Sequence, residues 1–179
     1  MATPPVFSAG AVLTAAQMNA VGLWLVKTQS VGTGVSSVNV TSAFSADFDN
    51  YYITWTGGTL SGTALVSIYM GASTGTAYYG SRNAINTSAA AALAGDNNTS
   101  RWIYASVGTT TYAFVAFDLY EPYAARRTGI HSKYIEGTGA LGTYTGYLDN
   151  TTSYTSFTLD PDGATTMTGG TIRVYGYRT

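Results

Sequence analysis

Few side chains in this sequence could do covalent chemistry, and their spacing decides which reactions are worth considering. Gly71-Ala72-Ser73-Thr74-Gly75 has the G-x-S-x-G form of a nucleophile elbow, in which a serine sits on a tight turn between a strand and a helix. His131, the sole histidine, would be the base, and Asp118 would orient it. The apolar run Thr63 to Met70 supplies the strand, but TAYYGSRN after the turn is a poor helix former. The chain also lacks the alternating strand and helix pattern of an α/β-hydrolase. No catalytic residue is therefore assigned.

The carboxylates offer a second kind of chemistry. Asp47 and Asp49 with Asn50, and Asp160 with Asp162, could present oxygens to Ca²⁺. Calcium takes six to eight oxygen ligands, and two acids two residues apart supply too few. Asp160-Pro161-Asp162-Gly163 is already explained as a turn, with proline at the second position and glycine where positive φ is needed. There is no cysteine, so a thiolate site, a cysteine nucleophile and a disulfide are all excluded. Neither a P-loop nor a zinc pattern nor a dinucleotide fingerprint occurs, and no metal or cofactor is expected. Asn-x-Ser/Thr triplets such as Asn39-Val40-Thr41 follow from composition.

Aromatic residues say more. Fifteen tyrosines stand in a chain that is only 9% charged, and tyrosine provides flat, amphipathic contact area at low entropic cost. Tyr78, Tyr79, Arg82, Trp102 and Tyr104 lie in or beside an irregular region and form the candidate contact for a host-surface glycan. The competing reading is that the tyrosines fill a β-core with their hydroxyls at its rim. A net charge of −1 and no basic cluster larger than Arg126-Arg127 argue against nucleic acid. So few charges would leave a lone monomer prone to associate, which points to a surface covered by partners.

The elements that must position these groups are mostly strands. At 179 residues the chain has the size of one domain. Strands are expected within Val31 to Val40 after a turn, and over Tyr51 to Thr56, Thr63 to Met70, Arg101 to Val107 and Thr111 to Tyr120. The last two have the look of a hairpin. Gly129 to Glu136, Thr143 to Leu148, Tyr154 to Leu159 and Gly170 to Tyr177 complete the set, with Ser42 to Asn50 and Tyr78 to Asn98 as loops. This spacing indicates an antiparallel β-sandwich of jelly-roll type over residues 31–179.

Residues 1–30 read differently. An uncharged arm with Pro4-Pro5 leads into Phe7 to Val26, which the pattern makes a helix beginning at Thr14. Thr14 and Gln17 have capping-box spacing, and Leu13 with Met18 could close as a hydrophobic staple. Met18, Val21 and Leu25 make a short coiled-coil seam. The helix either caps its own domain or joins copies of itself. On the second reading Phe7, Leu13, Met18, Val21 and Leu25 carry attachment and oligomerisation, with Met18, Val21 and Leu25 lining a threefold contact. No apolar run is long enough to span a bilayer, and the N-terminus lacks a basic secretory n-region.

Phe7 to Asn19, F-S-A-G-A-V-L-T-A-A-Q-M-N, resembles the N-terminal segment of small tailed-bacteriophage virion proteins, particularly tail-fibre and minor tail proteins. Thr168 to Tyr177, TGGTIRVYGY, is similar to their endings. The resemblance covers about the first fifth and the last tenth of the chain. It implies a non-enzymatic structural protein, usually a homotrimer, made in the host cytoplasm and carried in the virion. Its N-terminal segment would attach to other phage structural proteins, and its β-domain would project, sometimes to bind host-surface sugars. A capsid decoration protein or head fibre would share fold and symmetry. A carbohydrate-active enzyme is the rival of a different class, and it would need paired acids across a cleft.

Overall fold

The computed structural model describes residues 10, 22–72, 74–136 and 139–177. Among them the chain is mainly β, with thirteen strands and no helix. The strands are β1 (Leu23–Ser30), β2 (Val38–Val40), β3 (Asn50–Leu60), β4 (Ala64–Met70), β5 (Tyr78–Asn86), β6 (Ala91–Thr99) and β7 (Trp102–Gly108). They continue with β8 (Ala113–Tyr120), β9 (Thr128–Ile135), β10 (Ala140–Leu148), β11 (Phe157–Pro161), β12 (Met167–Thr168) and β13 (Thr171–Tyr177). Every pairing is antiparallel.

The sheet branches at β8. One arm runs β1-β13-β3-β8-β9-β10-β5-β6, and the other leaves β8 through β7 and continues β4-β11-β2. β7 and β8 touch as paired strands only at Gly108 and Ala113. They are thus not the simple hairpin that their sequences suggest, because each finds longer partners elsewhere: β7 on β4, and β8 on both β3 and β9. Side chains join the arms across the core. Phe117 of β8 meets Phe157 of β11 edge to face at 5.9 Å, Ser132 Oγ of β9 donates to the Ala105 carbonyl of β7, and Trp102 Nε1 of β7 donates to the Tyr147 carbonyl of β10 at 3.4 Å.

Burial follows the period-2 rule for a sheet with one covered face. In β8 Ala113, Val115, Phe117 and Leu119 are buried, while Phe114 and Tyr120 are exposed. Tyr51, Ile53, Trp55, Ile172 and Val174 continue the same inner face through β3 and β13. The strand expected over Tyr51 to Thr56 runs on to Leu60 through a bulge, with Gly57 at φ +75° and the register shifting before Gly58 pairs Ala113. Gly58 is needed there because a Cβ would run into the Trp55 indole, whose Nε1 donates to the Gly169 carbonyl at 3.1 Å.

Two expectations are corrected. Tyr78 to Asn98 is not a loop but the β5–β6 hairpin. Its small, half-exposed residues carry little alternation, and the strands are held by pairing to β10, whose nine residues all find partners on β5. The predicted helix does not extend through Val26, because Leu23–Ser30 is β1, hydrogen-bonded along β13. Apolar and aromatic residues with few helix formers suit a strand once an open sheet edge is present. Leu25 is therefore not in a helical seam; it pairs Tyr175 and is half exposed. Phe7, Leu13, Met18 and Val21, with the start of the predicted helix, lie outside the described residues. Among the described residues no helix is long and apolar enough to cross a membrane.

Candidate functional site

The five residues singled out as a glycan contact do not converge. Tyr78 and Trp102 are buried, packed edge to face at 5.0 Å in the main core. Tyr79, next along β5, points to the opposite face and stacks on Tyr147 at 5.1 Å. Tyr147 has a second neighbour, since the Arg127 guanidinium lies 5.3 Å from its ring while the Arg127 Nε donates to Asp149 at 2.7 Å. Arg82 sits on the inner side of β5, 4.7 Å from the Tyr134 ring and 5.3 Å from the Tyr104 ring. It donates to the Tyr134 hydroxyl at 2.8 Å and to the Ala92 carbonyl at 3.2 Å. The set thus splits into a buried pair, Tyr78 with Trp102, a second pair, Arg82 with Tyr104, in which Arg82 also meets Tyr134, and Tyr79 on the opposite face.

The hydrolase constellation is not assembled either. Asp118 and His131 face each other across β8 and β9, which is the pairing a base and its orienter would need. Asp118 Oδ1, however, accepts a 2.5 Å hydrogen bond from the Tyr177 hydroxyl, and the Gly71–Gly75 turn belongs to the β4–β5 connection, which leads from one arm to the other and not to β8 or β9. Ser73 lies outside the described residues. The two Asp160 and Asp162 carboxylates do have a cation, but it is a side chain. Arg101 approaches Asp160 at 2.6 Å and Asp162 at 3.4 Å, and Ser67 Oγ donates to Asp162 at 2.8 Å. Asp47 takes a 2.9 Å hydrogen bond from Ser45. Among the described residues no three metal-ligating side chains gather.

Two arrangements were not legible in advance. The first is an acid in the interior. Asp96 of β6 is 5% exposed, and its Oδ2 accepts from the Tyr144 hydroxyl at 2.6 Å and from the Ile103 amide at 2.9 Å. Burial raises its pKa above the ordinary carboxylate value, against the opposing pull of these hydrogen bonds. Burial also pushes the Tyr144 hydroxyl far above the phenol range, aided by the Asp96 hydrogen bond. Gly80 makes room for the contact, because a Cβ there would collide with the Tyr144 hydroxyl. Asp96 thereby ties the edge strand β6 to β7 and β10.

The second is a pocket of about 260 Å³ between the β4–β5 and β10–β11 connections. Met70, Gly71, Thr74, Gly75, Thr76, Tyr78, Asn150 and Tyr154 line it. Asn150 is fixed from both ends, its Nδ2 donating to the Tyr154 hydroxyl at 2.7 Å and its Oδ1 accepting from the Thr152 amide at 3.1 Å. The Met70 amide donates to the Tyr78 hydroxyl at 2.8 Å. Asp149-Asn150 reads in sequence only as a turn, so nothing there announces a pocket wall.

The outer face carries the exposed apolar groups. Leu141 of β10 pairs Ile85 of β5 on one side and Ile135 of β9 on the other, and all three are exposed. Leu93 of β6 adds to them at 68% exposure. At the opposite edge Leu23, Trp24 and Leu25 of β1 are each about half exposed. No protein-family model matches this chain, and no curated protein matches it.

Proposed function

We propose that this chain is a structural component of a bacteriophage virion, most simply a trimeric tail-fibre or tail-tip protein that contacts the host surface through its β-domain. We read the two arms of the sheet as the layers of a sandwich of jelly-roll type. Support comes first from the N-terminal residues that resemble such proteins. The structural observation that carries most weight is β1, an edge strand among the described residues, whose Leu23, Trp24 and Leu25 are about half exposed directly after that segment. Contiguous apolar groups beside an open strand edge suit contact with another protein surface. The sparse charge fits a protein that spends its working life inside an assembly.

Mass measurement by light scattering at two protein concentrations tests the oligomer, repeated after deletion of residues 1–21 so that β1 is kept. A trimer that dissociates on deletion is expected. A stable monomer before deletion sinks the fibre reading. Labelling the protein on intact particles places it, with tail label expected and head label pointing to a decoration protein or head fibre.

A further inference from the structure

We infer that the pocket between the β4–β5 and β10–β11 connections binds a neutral, hydroxyl-rich ligand the size of one sugar ring. Its volume of about 260 Å³ lies just below the range that holds drug-sized molecules. None of the described lining residues is charged, so an ionic ligand would leave water without a counter-charge from them.

What the pocket offers is hydroxyl and amide chemistry on a fixed frame. The Tyr78 oxygen already accepts from the Met70 amide, and the Tyr154 oxygen already accepts from Asn150 Nδ2. Each phenol therefore has its own O–H proton to give. Burial raises the Tyr78 hydroxyl well above the phenol range, so it stays a donor at any physiological pH. Thr74 and Thr76 add hydroxyls that both donate and accept. Gly71 and Gly75 leave the walls bare, and a Cβ on Gly71 would come no nearer than 3.8 Å to the Tyr154 ring. A sugar ring matches this set, since it presents several hydroxyls around its rim and an apolar face to an aromatic ring. Tyr78 also connects the pocket to the interior, with its ring edge to face on Trp102.

This inference names the ligand class for the surface-contact part of the reading above and rests on that part only for its biological setting. Particle labelling decides the virion reading, whereas the test here uses the isolated full chain. Methyl glycosides of glucose, galactose, mannose, rhamnose and N-acetylglucosamine are titrated into ¹⁵N-labelled protein and followed by amide chemical shifts. At least one is expected to give saturable shifts at Gly71, Thr76, Asn150 and Tyr154. Gly75→Trp, at a lining position where an added Cβ meets nothing within 4 Å, should abolish them and leave the remaining spectrum unchanged. Tyr154→Phe removes one donor and should weaken binding about tenfold. The inference is overturned if no glycoside gives a saturable shift in the millimolar range, if the shifts survive Gly75→Trp, or if Tyr154→Phe binds like the wild type.

Discussion

Replacing Tyr144 by Phe deletes one oxygen from a fully buried side chain and keeps the ring. The lost hydroxyl lies 2.6 Å from Asp96 Oδ2, and Asp96 Oδ1 has no hydrogen-bond partner among the described residues. Hydrogen bonds to charged groups contribute about 1.5–3 kcal/mol, and here the acceptor is left buried with the Ile103 amide as its chief remaining donor. A loss of about 2–3 kcal/mol at pH 7 is expected. In a chain of this size that amounts to a fall of roughly 4–12 °C in Tm, and urea unfolding should give the corresponding lower midpoint. The pH dependence supplies the sharper test. Burial raises the Asp96 pKa in the folded state, so its ionisation erodes stability as pH climbs from the unfolded value of 3.8 through the raised folded value. Without Tyr144 the ionised form loses a donor and the folded value rises further. The penalty for Tyr144→Phe should therefore shrink between pH 7 and pH 4, because the raised pKa leaves more of the carboxyl neutral at the lower pH. An equal penalty at both pH values, or none at either, would refute the assignment of Asp96 as a desolvated acid held by Tyr144.

Arg101→Met should leave Asp160 and Asp162 facing each other without their cation and cost about 1–2 kcal/mol at neutral pH, discounted for partial exposure; burial raises the Asp160 pKa, so urea midpoints at pH 7 and pH 4 should show the loss easing as Asp160 gains its proton. Gly58→Ala should force the Trp55 indole off its place against Gly169 and cost about 1–3 kcal/mol, read by thermal melting together with a shift in tryptophan emission. Leu25→Asp changes a half-exposed side chain on the edge strand, so it should alter stability by no more than about 0.5 kcal/mol while lowering the mass measured by light scattering if β1 joins copies.

Sequence patterning revealed the strands that bury one face. Tyr51 to Thr56, Thr111 to Tyr120 and Gly170 to Tyr177 alternate because each puts every second residue into the core, and β3, β8 and β13 occupy those positions. Patterning failed where a neighbour supplies the order. Tyr78 to Asn98 has no apolar stripe worth the name, yet β10 gives β5 its register and Asp96 pins β6 from the inside. The segment after Gly22 looked helical because Leu, Val and Trp suit either state, and the vacant edge of β13 decided for a strand. Candidate sites fared worse for a related reason. Tyr78 and Tyr79 are adjacent in sequence and therefore on opposite faces, so no single surface could hold both. Asp160 and Asp162 looked like open carboxylates because Arg101, their partner, is about sixty positions away in the chain.

The place of β13 sets an order of events for the newborn polypeptide. The last strand of the described chain lies between β1 and β3, both made long before it. Until β13 has emerged, the nascent domain leaves backbone of both neighbours unpaired, with Leu23, Trp24 and Leu25 on one and Ile53 and Trp55 on the other. That is the state in which β-rich chains stick to one another. Closure of this part of the sheet therefore waits for β13, and a pause in synthesis before Thr171 lengthens the time for which β1 and β3 lack their shared partner.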